Sequence, residues 1–492
     1  MPAELPPEPL EEVYDRLVAE NPDDVADQAP LTVEADTEVP TPAMVRRGWA
    51  SSTFESFVHR DFTLFWSGAL VSNIGSWMQN AALAILVFRI QPDRASLNTG
   101  IVQGLSGIPV LFLAIPAGAL ADKIDRRKLL IWIQVVLLVQ AAAIGLSYDT
   151  QVLTPLRPFF SLALVSALGL VGGIFVAFQG PAFQSMLPDL VPRKSLMNAI
   201  ALNSAQLQTS RMLGPAIVAG LLLVGAGLGL VFYINAASFL FVIAALLAIR
   251  PRAEFHAGHA GDPAHAPGGK PGEDKPAEGA WTTLTAGISY ARENPAIGVL
   301  ILTTALLVFL GFPYVIILTA IIHARIPGAN VERAYSIVYA FNGAGALIGS
   351  LAVAGLPSTI KRNRVIPIAL LTFALLIIAF SFAPNVIVMS AITLIAGAAY
   401  ISTSSLVMTS IQAAVPGYLR GRVMALFMMA FMGVMPLSAF AFGPLGQAIG
   451  PDTAVLVGGV ALAAWALVLV ARPGWLTAIG APSGSGGGAP RG

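Results

Sequence analysis

The chain has 492 residues, 56% of them apolar and only 11% charged, with a mean hydropathy of +0.74. A soluble domain carries about 25% charged residues, and less than half of that cannot cover a chain of this length with a water-facing surface. The composition excludes a cytosolic enzyme, a nucleic-acid binder and a secreted globular protein, and leaves a protein that crosses the bilayer many times.

The net charge of +1 conceals two opposed regions. Residues 1–45 hold twelve acids and one base, Arg16, whereas the remainder holds 27 basic residues against 15 acidic ones. The acidic stretch is Pro-rich and has almost no aromatic residue beyond Tyr14. It cannot bury enough apolar surface to offset chain entropy, so residues 1–56 read as a disordered cytoplasmic tail. Only Pro9 to Glu20 has the pattern of a short helix. No basic segment followed by an apolar run opens the chain, so no cleavable signal is expected. Cysteine is absent, which excludes disulfides and thiol chemistry.

Long apolar runs begin at Phe62. A membrane helix needs about 20 mostly apolar residues. On that measure twelve spans are predicted, near 62–88, 98–121, 129–148, 158–179, 197–224, 229–249, 296–321, 334–356, 365–383, 386–411, 422–447 and 452–471. Two divisions rest on very short breaks, Gly225 to Gly229 and Pro384-Asn385. One helix through either break would far outrun a bilayer core about 30 Å thick, so each is read as a hairpin. Residues 251–288 are rich in Gly, Pro and Ala and form a flexible cytoplasmic linker, which separates a six-helix bundle at 57–250 from another at 289–474. Three linker residues, His256, His259 and His265, match no rigid ligand spacing, so no metal is expected. Residues 475–492 read as a second disordered tail.

Lys and Arg set orientation. With the amino terminus inside, the inner segments hold 20 basic residues and the outer ones five, namely Arg89, Arg94, Arg157, Arg325 and Arg333. Both termini are therefore expected in the cytoplasm. The chain also repeats itself. Gln184-Ser-Met-Leu-Pro188 returns as Gln412-Ala-Ala-Val-Pro416, and Gly214-Pro215 as Gly443-Pro444, at offsets of 228 and 229. Duplicated halves of this kind mark transporters, with the substrate site near the midplane between them.

The loop after the second span reads Gly118-Ala-Leu-Ala-Asp122-Lys-Ile-Asp125-Arg126-Arg127-Lys128. Small residues permit close helix approach, Asp122 suits a neighbouring helix amino terminus, and the two Arg hold the loop in the cytoplasm. This segment resembles the Gly-x-Leu-Ala-Asp-Arg-x-Gly-Arg-Arg signature of the major facilitator superfamily, with Asp125 where the family commonly has Gly. The resemblance implies a conformational latch made by Gly118, Asp122, Arg126 and Arg127. No acid lies between Ser350 and Lys361 in the second half, so the latch is expected to be one-sided.

Gly180-Pro-Ala-Phe-Gln-Ser-Met-Leu-Pro-Asp-Leu-Val-Pro192, Asn198-Ala-Ile-Ala-Leu-Asn-Ser204 and Arg211-Met-Leu-Gly-Pro215 are similar to the branch holding the enterobactin exporter and related drug:proton antiporters. Arg60 to Trp66, Ser72-Asn-Ile-Gly75 and Arg420-Gly-Arg-Val-Met424 fit the same branch. The likeness covers about residues 57–474 and implies secondary, proton-coupled export across a bacterial cytoplasmic membrane. Ser76 occupies a position where the branch often carries an acid. Ser210-x-x-x-Gly214-Pro215 partly matches the antiporter signature of the fifth span. Gly214, Pro215, Gly443 and Pro444 are read as helix kinks, either ordinary or setting the direction of transport.

Arg211 is the one charge placed deep within a span, and Ser204 and Gln208 share its helical side. Such a charge needs a partner or a water-filled cavity. It either binds an anionic or carbonyl group of the substrate or braces backbone carbonyls. Asn73, Ser76 and Asn80, with Gln79 beside them, give the first span a polar face. Tyr400 opens a polar cluster in the tenth. These residues, with Gln208 and Arg211, are the expected cavity lining. The Met-rich eleventh span reads as core packing. No carboxylate lies in the middle of a span, no Gly-x-x-x-x-Gly-Lys-Ser/Thr loop is present, and no nucleophile–base constellation appears.

The expected protein is thus all-α, with twelve membrane helices in two bundles and no cofactor. It is expected to act as a monomer whose partners are the bilayer and a small-molecule substrate, and to have no contact with nucleic acid. It exports a small, largely apolar compound, drug-like or a siderophore, by alternating access. A lysophospholipid flippase, or a membrane-anchored sensor or scaffold using the acidic tail, remain open alternatives.

Overall fold

Inside a bilayer every backbone N–H and C=O must be satisfied within the protein, so long apolar runs close on themselves as helices. The computed structural model describes residues 54–121, 124–249, 280–328, 330–356 and 360–479, and among them there is no strand. Spans one to six are Arg60–Ile90, Ala95–Ala121, Arg126–Asp149, Pro158–Leu190, Arg193–Leu223 and Leu228–Ala248. Span seven runs over 295–325, span eight is Val331–Ala354, span nine Arg362–Phe380, span ten Val386–Ala414, span eleven 417–449 and span twelve Pro451–Ala471. The chain is an all-α membrane protein. Eleven of its described helical segments are long and apolar enough to cross a bilayer. Span five falls short of that hydropathy because Asn198, Asn203, Gln206, Gln208 and Arg211 interrupt it.

Local chemistry sets the ends. Asp125 accepts from the backbone N–H groups of Arg127 at 3.0 Å and Lys128 at 3.2 Å, so the residue that departs from the loop signature starts span three as its cap. Asn330 caps span eight and Asn385 caps span ten in the same way. Both short breaks are hairpins. Gly225 takes φ +80, a region only Gly enters freely, and turns the chain from span five to span six.

Four features differ from the sequence expectation. Span seven is three pieces, Pro295–Gly311, Pro313–Ile316 and Leu318–Arg325, because Pro313 has no N–H to continue the ladder. Span eleven widens into a π-turn at Met429–Gly433, just before Pro436 interrupts the next turn. Of the predicted linker, 251–279 lies outside the described residues, but Ala280–Glu293 is a helix, and Gly287 leaves room for the carbonyl oxygen of Arg422 on span eleven. The predicted tails also reach inward. Ser56 donates from its hydroxyl to the Ser195 carbonyl at 3.1 Å, and Leu476 is fully buried. Residues 1–53 and 480–492 lie outside the described residues.

In the first half, span one packs on spans five and six, and span two on span four. In the second, span eight packs on span ten and span nine on span twelve. The halves meet where span two crosses span eleven and span five crosses span eight. Both crossings are built on glycine, as close approach in a membrane requires. A Cβ on Gly100 would meet Gly443 Cα and the Ala439 oxygen at 2.6 Å, and one on Gly343 would meet the Arg211 oxygen at 2.7 Å. The repeated Gly-Pro pairs serve different contacts. Gly214 admits Trp77 of span one within the first half, whereas Gly443 admits Gly100 across the halves.

Candidate functional site

A cavity of about 140 Å³ lies where the halves meet, lined by Trp77, Asn80, Gln103, Phe312, Tyr339 and Met435. It is narrower than the roughly 300–1,000 Å³ of most small-molecule pockets. Packed against the Trp77 and Phe312 rings sits Arg211, 9% exposed. Its Cζ is 5.6 Å from the centre of Trp77, 6.0 Å from Phe312 and 5.9 Å from Tyr400. Rings presented to a guanidinium attract it through their negative faces. Its hydrogen bond is long, from Nη2 to Asn342 Oδ1 at 3.5 Å, and its Nε is buried without a partner. Asn342 is itself anchored, because its Nδ2 donates to the Tyr314 hydroxyl and lies 3.5 Å from the Thr393 oxygen. Among the described residues no carboxylate pairs with Arg211.

The residues singled out in the sequence divide into two groups. Asn80 faces the cavity and bonds back to the Ser76 oxygen at 3.1 Å. Tyr400 is buried against Arg211, Phe312 and Phe373. Gln208 is half-buried one turn before Arg211, and Asn73 and Ser76 are half-buried on span one. Gln79 turns the other way. Its Oε1 accepts from Asn235 of span six at 2.8 Å, and its Nε2 donates to Gln140 of span three at 3.2 Å. Gln140 passes the chain on to the Leu168 oxygen of span four. Gln79 therefore belongs to an amide ladder inside the first half, away from the cavity.

Trp77 and Phe312 were not among the expected lining. The signal for Trp77 was present, since Asn73, Trp77 and Asn80 fall at i, i+4 and i+7 on one helical face. For Phe312 the signal was the following Pro313, because broken helices in transporters cluster at the binding depth.

At the loop after span two, Arg126 donates to the Ser185 oxygen at 3.1 Å and to Asp189 Oδ2 at 3.2 Å. Arg127 donates to the Leu246 and Leu247 oxygens at 2.5 and 2.9 Å, satisfying carbonyls in the last turn of span six. Both arginines thus tie the start of span three to neighbours within its own half. Asp122 lies outside the described residues, and Gly118 falls in the last turns of the span-two helix.

The opposite end carries polar ties between the halves. Arg89, at the end of span one, makes a two-pronged ion pair with Glu332 at the start of span eight, and also donates to the Tyr148 hydroxyl. Arg333 donates to the Leu222 oxygen at 3.3 Å, Ser96 to the Gly443 oxygen at 3.0 Å, and Gln447 to the Asp93 oxygen at 3.0 Å. A second ion pair, Arg325 to Asp452 at 3.2 Å, joins spans seven and twelve within the second half.

Comparison with known proteins agrees with this architecture. Residues 51–473 match the family described as transmembrane secretion effector. The staphyloferrin A transporter of Staphylococcus aureus is 26% identical over 385 residues, 76% of this chain and 87% of that protein. The uncharacterized MFS-type transporter YfiS of Bacillus subtilis is 26% identical over 242 residues, 49% of this chain and 51% of that one. Among solved structures, the D-xylose-proton symporter aligns with a TM-score of 0.63 at 12% identity, over 84% of this chain and 97% of its own. The nucleoside transporter NupG aligns with a TM-score of 0.62 at 12% identity, over 84% of this chain and 98% of its own. At those identities the structural likeness is one of fold.

Proposed function

The chain belongs to the transmembrane secretion effector family and is a secondary transporter of the major facilitator superfamily, and we propose that it exports a small, largely apolar compound across the cytoplasmic membrane by alternating access. It is a multi-pass membrane protein and not an enzyme. The observation that carries the export reading is the cavity at the junction of the halves, with aromatic walls and a buried cation beside it. Apolar walls with a few placed polar groups are what a small, mostly apolar cargo requires. Similarity to a transporter of staphyloferrin A over three quarters of the chain supports a siderophore-like or drug-like cargo.

The excess of Lys and Arg in the segments on the side of the loop after span two supports a cytoplasmic position for that side. The Arg89–Glu332 end is then the outer one, and the ion pair ties the halves together there. Transport would open that end while the latch side, around Gly118, Asp122, Arg126 and Arg127, closes. Export is driven by the proton gradient. Glu332 ties the halves together through its ion pair with Arg89. Gly214, Pro215, Gly443 and Pro444, the expected kink positions, lie at or beside the helix crossings that must pivot. A flippase would need an apolar side opening between the halves. The groove of about 420 Å³ that lines Ile101, Phe159 and Leu162 instead lies between spans two and four of the first half.

The test is transport in everted membrane vesicles from a strain stripped of its own pumps. Vesicles holding the protein are expected to accumulate a siderophore or drug from a panel when the proton gradient is imposed, and to release it when the gradient is collapsed. Accumulation indifferent to the gradient removes proton coupling, and no accumulation of any compound removes export. Orientation is checked separately in the Cys-free chain. A single Cys at Gly269 is expected to resist an impermeant thiol reagent in intact cells and to react after permeabilisation. Labelling in intact cells would reverse the topology.

A further inference from the structure

Arg211 presents an unsolved balance of charge. A guanidinium carries five N–H donors in a planar fork and no acceptor. Here one donor reaches an amide oxygen at 3.5 Å, Nε is buried with no partner, and no carboxylate among the described residues pairs with the charge. Removing one partner from a buried ion pair is costly because the remaining charge is left uncompensated, so a cation in this setting is poised for an anion. Three aromatic rings around Cζ attract the cation but supply no acceptor lone pair to its N–H groups. A brace for helix carbonyls would show the fork on backbone oxygens, and the acceptor found is the side chain of Asn342.

The groups around Arg211 come from both halves. Arg211 and Trp77 belong to the first, whereas Phe312, Asn342 and Tyr400 belong to the second. Asn342 is held in place by Tyr314 and Thr393, so its oxygen stays aimed at the guanidinium and leaves Nε for another acceptor. Trp77 and Phe312 line the cavity, and their ring centres lie 5.6 and 6.0 Å from the Arg211 Cζ. A ligand in the cavity therefore rests against rings that pack on the cation.

We infer that the cargo of this transporter carries a carboxylate, which docks on the free edge of Arg211 while its apolar or aromatic body lies against Trp77, Phe312 and Tyr400. This inference rests on the export reading above and narrows its substrate class. A neutral carbonyl would satisfy Nε and leave the buried charge uncompensated, whereas a carboxylate does both and matches the fork with two parallel bonds.

The experiment uses the full-length protein and the cargo found in the vesicle panel; a cargo without a carboxylate overturns the inference at once, and one with a carboxylate is compared as its free acid and as its methyl ester. The parent protein is expected to transport the acid in preference to the ester. Arg211→Gln is expected to lose transport of the acid by about tenfold or more, the order lost with a charge-assisted hydrogen bond, and to lose transport of the ester per inserted protein by a clearly smaller factor, so that the acid-to-ester preference collapses. Arg211→Lys, which keeps the charge and loses the fork, falls between. If the acid and ester decline by the same factor in Arg211→Gln, or the acid is unaffected, Arg211 is not the anion site. Should the variants fail to insert, the parent alone decides, because equal transport of acid and ester overturns the inference. Absence of transport of any compound refutes the export reading instead, so the two failures are told apart.

Discussion

Glu332→Gln is expected to open the end of the bundle that Arg89 closes. The substitution keeps the shape of the side chain and removes its charge. Arg89 contacts both Glu332 oxygens and turns its remaining nitrogen to Tyr148, so one guanidinium joins spans one, three and eight. Hydrogen bonds to charged groups contribute about 1.5–3 kcal/mol. The Arg89 side chain is 33% exposed and Glu332 20%, so solvent screening places the loss toward the lower end of that range. A loss of about 1.5 kcal/mol moves a two-state equilibrium roughly tenfold. Because the pair spans the halves, that loss falls on the closed state alone.

Spin labels on Cys introduced at Thr150 and Pro327 report the effect. A longer-distance population is expected to grow in Glu332→Gln. Exchanging the charges, with Arg89→Glu and Glu332→Arg together, is expected to restore the shorter one. Asp452→Asn is the control, since the Arg325–Asp452 pair lies wholly within the second half and does not tie it to the first. An unchanged distance distribution in Glu332→Gln would mean that the ion pair does not hold the end shut.

Gly100→Ala and Gly345→Ala add the same methyl group and are expected to fail in different ways. A Cβ on Gly100 would stand 2.6 Å from Gly443 Cα and the Ala439 oxygen, both backbone atoms that cannot turn aside. A Cβ on Gly345 would overlap the Leu394 carbonyl oxygen. Overpacking of this kind costs about 1–3 kcal/mol and occasionally more. Gly100 and Gly443 belong to spans two and eleven, on opposite halves, so the clash is relieved when the halves part at that end. Gly345 and Leu394 belong to spans eight and ten, which pack within one half and have no second arrangement. Gly100→Ala should therefore reach the membrane at near the parent level, populate the closed end poorly and transport slowly. Gly345→Ala should be lost from the membrane before transport can be measured. Quantifying inserted protein beside the spin-label distances separates the two, and equal loss of both proteins would contradict the distinction.

Hydropathy determined eleven of the spans, because a bilayer dictates how long an apolar helix can be and forces a turn when the run is too long. That rule placed the hairpins at Gly225 to Gly229 and at Pro384-Asn385, where no charge marks the turn. Asp125 could have been read as a helix cap from its place before Arg126, Arg127 and Lys128, and Pro313 as a break, since each acts through its own backbone neighbourhood.

The tertiary structure alone decided which side of each helix meets what. Gln79 and Asn80 are neighbours in the chain but lie about 100° apart around a helix. One enters the amide ladder with Gln140 and Asn235, and the other faces the cavity. Arg89 and Glu332 are 243 residues apart, and Arg211 gathers partners from spans one, seven, eight and ten. Lipid-facing and protein-facing surfaces in a membrane are alike in polarity, so periodicity carries little information about direction. Direction is set by which helices approach closely enough to pack, and here that depends on glycines such as Gly100, Gly343 and Gly443, whose significance appears only once the opposing backbone is in place.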